Sequence, residues 1–203
     1  MSKNLLILLH GVGSNGADMQ GLARYLVPSL PGVSFACPDG TARFDGGGPG
    51  FQWFSLQGVT PETRPARIVA ARAAFDATID TILQQHGVTP GEDNIILGGF
   101  SQGAIMALDV LVSGRLPLAG VVSLSGRLAS PEPFNLAADQ AALLVHGKAD
   151  AVIPWSESEQ AAQRLSAAGV TVESFFEADT PHTVTAAGVS HALAFIRQRF
   201  NLD

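Results

Sequence analysis

Ser101 lies between two glycines in Gly99-Phe100-Ser101-Gln102-Gly103, and the chemistry open to it is nucleophilic acyl transfer. An aliphatic hydroxyl is a weak nucleophile at neutral pH, so it needs a base to take its proton and a third group to orient that base. The surrounding sequence reads NIILGGFSQGAIMALDV: an apolar strand-like run, a turn, then a helical pattern. A serine at such a strand-to-helix turn is held in a strained backbone conformation that presents its hydroxyl outward. A Cβ at position 99 or 103 would collide with neighbouring backbone, which accounts for both glycines. The helix that follows points its positive dipole end at charge developing near the serine. With 22 glycines in the chain the bare pattern arises readily by chance. Its placement between strand and helix is what gives it weight.

In this type of site the acid and then the base follow the nucleophile along the chain. His182, in the polar turn ADTPHTV after the run VESFF, is the favoured base. His191 lies within the last helical pattern, where a surface or core role fits better. The acid candidates are Asp139, Asp150 and Asp179. Asp150, in LLVHGKADAVIP, falls just past a buried strand and is favoured. Asp139 precedes that strand, and Asp179 suits a local turn. His146 reads as a satisfied strand-end residue. The oxyanion needs two donors, expected from the backbone N–H of Gln102 and of Val12 in LLHGVGSNG. A phosphate-binding loop is the other use of HGVG, but it lacks a P-loop lysine and GxGxxG spacing.

These residues must be positioned by a scaffold, and the chain supplies one. Leu5 to Leu9, Val33 to Ala36, Ile95 to Leu97, Val121 to Leu124 and Leu143 to Val145 are short apolar runs that suit strands buried on both faces. Val170 to Phe176 alternates more, as nearer a sheet edge. Helices are expected over Asp18 to Leu26, Arg64 to His86, Gln102 to Val112, Trp155 to Ala168 and Ala186 to Phe200. Alternating strands and helices predict an α/β domain with a parallel sheet. Residues 1–203 read as one domain. Two irregular stretches, Asp39 to Pro61 and Gly126 to Asp139, suit functional loops.

Composition narrows the function. A net charge of −6, with 12 scattered basic residues, argues against nucleic acid as a partner. No apolar run approaches the ~18 residues of a membrane span, and Lys3 with Leu5 to Leu9 is too short for an export signal. The lone Cys37 cannot form an intrachain disulfide and reads as a packing residue, which suits a cytoplasmic protein. No spacing typical of a metal site occurs, and no cofactor is expected.

Taken together, LLHGVGSNG, QWFSL (Gln52 to Leu56), GGFSQGA, HGKADAVIP and the His182 turn resemble the carboxylesterase/acyl-protein thioesterase family, also called the phospholipase/carboxylesterase family. The resemblance spans nearly the whole chain and implies an α/β-hydrolase fold. It implies a triad of Ser101, His182 and Asp150, an oxyanion hole from Val12 and Gln102, and an acyl site lined by the loop of Trp53 and Phe54. Family members usually carry more chain before the HG motif. A reduced, mostly parallel sheet of about six strands is therefore expected, with helices on both faces. PDGT replaces the family's common PxAP, and Pro181 stands where a glycine more often precedes the histidine.

The expected function is hydrolysis of small to medium acyl esters through an acyl-enzyme on Ser101. The alternatives are an acyl-protein thioesterase or lysophospholipase for longer chains and, from another class, a non-catalytic binding protein on a hydrolase scaffold. The complete Ser, Asp and His set opposes the last.

Overall fold

The computed structural model describes residues 2–202. Strand β1 (Asn4–Leu9) is followed by helix α1 (Gly16–Leu26) and β2 (Val33–Ala36). Then come a small antiparallel pair, β3 (Ala42–Arg43) and β4 (Phe51–Gln52), and the long helix α2 (Arg64–His86). Beyond it lie β5 (Asn94–Phe100), α3 (Gln102–Ser113), β6 (Gly120–Leu124), β7 (Ala141–Gly147), α4 (Ser156–Ala167), β8 (Thr171–Glu177) and α5 (Ala186–Arg199). The main sheet has six strands in the order β2-β1-β5-β6-β7-β8, and every pairing within it is parallel.

Side chains alternate across a strand, so each strand feeds two cores. Leu5, Ile7 and Leu9 of β1 join Ile68, Phe75 and Met106 on the face covered by α2, α3 and α4. Leu6 and Leu8 join Met19, Phe195 and Ile196 on the face covered by α1 and α5. Each such fully buried aliphatic side chain contributes about 1.5–3 kcal/mol. The strand ends that carry the site are thereby fixed.

The expected strand VSFA forms over the same residues, but its reading as a strand buried on both faces is corrected. β2 is an edge strand, half-buried, with Ser34 exposed. β8, read as nearer an edge, is the other edge. The chain runs outward from β1 to β2 and then returns to pair β5 on the other side of β1. That reversal opens a crevice at the carboxyl ends of β1 and β5, where α/β proteins place their sites. Among the described residues, no helix is long and apolar enough to cross a membrane.

A buried ionic cluster ties the helical face to the loop after β6. Asp109 of α3 is fully buried and accepts from Arg72 of α2 at 2.9 and 2.8 Å. It also accepts from Arg115 at 2.8 Å and from the Ser130 hydroxyl at 2.7 Å.

Candidate active site

Ser101 is the single residue between β5 and α3, with φ 54° and ψ −117°. A non-glycine residue at positive φ stores strain, and tight packing enforces it here. A Cβ on Gly99 would sit 2.3 Å from the Gly103 carbonyl carbon, and one on Gly103 would sit 2.3 Å from the Leu9 carbonyl oxygen. Only glycine lets the elbow close against α3 and β1.

Three of the residues singled out in the sequence meet here. His182 Nε2 lies 3.0 Å from Ser101 Oγ, and His182 Nδ1 lies 2.6 Å from Asp150 Oδ2. The other Asp150 oxygen accepts the N–H groups of Val152 and Ile153, at 2.8 and 2.9 Å. Burial penalises the Asp150 carboxylate, yet the His182 hydrogen bond and those two N–H groups outweigh it, and its pKa lies below the ordinary value. The Asp150 and His182 loops are pinned together by Ala149 N–H donating to the Thr180 carbonyl at 3.0 Å. Gly147 allows that approach, since a Cβ there would lie 2.2 Å from the same oxygen. The Phe100 ring packs against the His182 imidazole at 4.8 Å between centroids.

The weaker candidates fall elsewhere. His191 is exposed and stacks on Phe175. Asp179 and Asp139 both adopt left-handed backbone conformations, and Asp139 precedes β7, at the end of the strand away from Asp150. His146 is buried, with Nδ1 2.7 Å from Ser158 Oγ and Nε2 2.8 Å from the Ile153 carbonyl. Burial lowers its pKa below the ordinary value. Its Nε2 also approaches Asp150 Oδ2 at 3.1 Å, a second prop for the acid that the sequence did not announce.

Val12 and Gln102 flank Ser101 from the β1 loop and the start of α3. Among the described residues, neither backbone N–H donates to a protein acceptor. Both are available to an oxyanion. The Gln102 side chain has its own task, which the sequence did not disclose. It is buried, accepts the Trp53 N–H at 2.7 Å and donates to the Phe54 carbonyl at 2.8 Å.

Trp53 does not line the site, which corrects its expected contact with substrate. It is 2% exposed, its indole N–H donates to the His10 carbonyl at 2.9 Å, and its ring packs on His10 and Phe75. A ring so enclosed stabilises the loop and presents no face to a ligand. His10 was also missed: its Nε2 accepts the Gly40 N–H at 2.8 Å, holding the same loop. Phe54 faces a cavity of about 160 Å³ that Ser101 also lines. A second cavity that Ser101 lines, of about 530 Å³, is walled mainly by Met19, Leu22, Phe100 and Val184, with Ser14 and Asp18 as polar members. Cys37 is half-buried, and burial pushes its thiol up to about 11, so it is inert at neutral pH. Among the described residues, no group of three or more His, Cys, Asp or Glu side chains is arranged to hold a metal ion.

A parallel sheet with a strained serine at its crevice, hydrogen-bonded to a histidine and through it to a carboxylate, defines a serine hydrolase of the α/β-hydrolase fold. The chain belongs to the phospholipase/carboxylesterase family, whose pattern it matches over residues 1–199. It is 34% identical over 197 residues to esterase YpfH of Escherichia coli K12, covering 97% of this chain and 83% of that one. It is 31% identical over 169 residues to acyl-protein thioesterase 1 of Kluyveromyces lactis, covering 75% of this chain and 72% of that one. The crystal structure of esterase PE8 superposes with a TM-score of 0.88 at 32% identity, covering 97% of this chain and 93% of that one.

Proposed function

We propose that this hydrolase is a carboxylesterase that works through an acyl-enzyme on Ser101, with His182 as general base and Asp150 as its orienting carboxylate. The observation that carries the reading is the unbroken chain from Ser101 Oγ to His182 at 3.0 Å and on to Asp150 at 2.6 Å. Ser101 Oγ attacks the ester carbonyl carbon as its proton passes to His182 Nε2. The carbonyl oxygen takes the negative charge and is met by the N–H groups of Val12 and Gln102. Collapse expels the alcohol, which takes the proton from His182. Water then attacks the acyl-enzyme, giving its proton to His182, and the carboxylic acid leaves with Ser101 restored. Asp150, held ionised, fixes the Nδ1–H tautomer and stabilises the imidazolium.

Residues 1–203 act as one domain in this reading, on a small-molecule ester. The lone Cys37 supports a cytoplasmic setting. The test compares wild type with Ser101→Ala on nitrophenyl esters of two to eight carbons. Turnover by wild type and none above background by the variant is expected; equal rates would overturn the reading.

A second reading, hydrolysis of longer acyl esters or thioesters, is supported by one feature. Met19 and Leu22 wall the larger cavity and also line a narrow apolar void behind it, reaching Leu26 and Val189. Small shifts of these two flexible side chains lengthen the cavity along α1. A chain-length series with oxygen and sulfur esters separates the readings, and an optimum at ten carbons or above favours the second.

A further inference from the structure

The smaller cavity beside Ser101 carries two cationic side chains that the triad does not use. Arg64 opens α2, and Arg127 follows β6; both line the cavity together with Ser101, Gln102 and Phe54. Arg64 follows the first irregular stretch and Arg127 stands near the start of the second, more than sixty residues apart in sequence. We propose that this cavity binds an anionic group of the substrate, a carboxylate or phosphate a few atoms from the scissile carbonyl. The inference rests on the esterase reading and names the class of ester that the site takes.

Among the described residues, neither guanidinium forms a hydrogen bond with a side chain. Among the described residues, the Arg64 guanidinium forms neither a hydrogen bond nor an ion pair with any other side chain. Arg127 is 13% exposed, and its Nε is buried without a hydrogen-bond partner. Glu157 approaches Arg127 at 3.5 Å, outside good hydrogen-bonding geometry, and its charge also acts on Arg64, with Glu62 adding a weaker one. Arg64 also stands at the first turn of α2, which contains no acidic residue and whose dipole disfavours a cation. Burial first, then the neighbouring Arg127 charge, lower the Arg64 pKa. Two like charges gathered on one cavity wall raise the energy of the empty site. An anion placed between them offsets that repulsion, pairs with both guanidinium groups and meets the favourable end of the α2 dipole.

The two cavities divide the work. Ser101, Val12 and Val152 line both, so an ester carbonyl at Ser101 sends one limb into each. The larger cavity is walled by Met19, Leu22, Phe100 and Val184 and suits the apolar limb. The smaller, at about 160 Å³, holds a short limb ending in the anion. The outcome is a substrate with an apolar limb and a charged limb on opposite sides of the ester bond.

The test measures kcat/KM for three pairs, each an anionic ester and a neutral counterpart of similar shape. Hexyl hydrogen succinate against hexyl levulinate places a carboxylate on the acyl limb. Hexanoyloxyacetate against its amide places a carboxylate on the alcohol limb. 2-(Hexanoyloxy)ethyl phosphate against 2-(hexanoyloxy)ethyl acetamide tests phosphate. At least one pair is expected to favour the anion by about tenfold, the size of a charge-assisted hydrogen bond. In Arg64→Gln and Arg127→Gln that ratio is expected to fall toward one, mainly through a higher KM for the anionic ester. Ratios of one or below for all three pairs in wild type overturn the proposal. So does a preference that persists in the double variant. If the neutral esters are hydrolysed and all ratios stay at one, only the anion subsite fails. If no ester is turned over, the esterase reading fails with it.

Discussion

Gln102 and Trp53 are joined by a hydrogen bond from the Trp53 backbone N–H to Gln102 Oε1 at 2.7 Å. The residue after Ser101 therefore holds the loop that carries Trp53 and Phe54. Its amide nitrogen completes the clamp by donating to the Phe54 carbonyl at 2.8 Å. Gln102→Leu leaves two buried backbone groups without partners, and each costs about 1–3 kcal/mol. The expected outcome is a lower Tm and a lower kcat, because the wall of the smaller cavity loosens with the loop. Thermal melts and ester turnover on the same variant check both.

Asp150→Asn keeps the shape of the site but removes the charge and disturbs the imidazole tautomer. We expect kcat to fall by about 10³–10⁴ with KM little changed. Steady-state kinetics on a neutral nitrophenyl ester measure it. A fall of less than tenfold would mean that Asp150 does not orient His182 during turnover.

Acid stability follows from two buried histidines outside the proton relay. Burial lowers the pKa of His10 and of His146 below 6.5 in the folded chain. Each ring binds fewer protons folded than unfolded, so its contribution is fully present above 6.5 and is lost as pH falls through the folded value. Asp109 and Asp150, both held below 3.8, add a second loss at lower pH. Tm is expected to be level from about pH 8 to 7 and to decline once pH drops below about 6.5. A Tm that stays constant down to about pH 5 contradicts this assignment of the histidines.

The Asp109 cluster predicts a stability effect remote from the chemistry. Asp109→Asn removes the only carboxylate in contact with Arg72 among the described residues, and one of two in contact with Arg115. Breaking a buried ion pair from one side costs about 3–5 kcal/mol, and the two partly wet arginines place this case near about 3 kcal/mol. Urea denaturation measures it. Because Ser130 shares the cluster, the loop carrying Arg127 is expected to gain faster amide exchange in the same variant.

Much of the scaffold was legible in the sequence. The helix from Arg64 to His86 ends at Gly87 in a left-handed cap, and the apolar spacing of Ile68, Phe75 and Ile79 gave its buried face. The elbow at Ser101 was legible because strand, glycines and helix occur together. The edge position of β2 was not, since VSFA is apolar enough for either an edge or a central strand, and only pairing decides. Trp53 was misread because an aromatic in a glycine-rich loop has the same local signature whether it folds inward or lines a pocket. The Gln102 clamp and the meeting of Arg64 with Arg127 depend on chain segments far apart in sequence, and no local pattern carries them.

The central claim is that Ser101 is the nucleophile of a working relay. Incubation with a fluorophosphonate probe, followed by peptide mass spectrometry, tests it most directly. A single covalent adduct on Ser101 is expected, with loss of esterase activity in step with labelling and much slower labelling in His182→Ala. Labelling at another residue, or full activity with Ser101 modified, would contradict it.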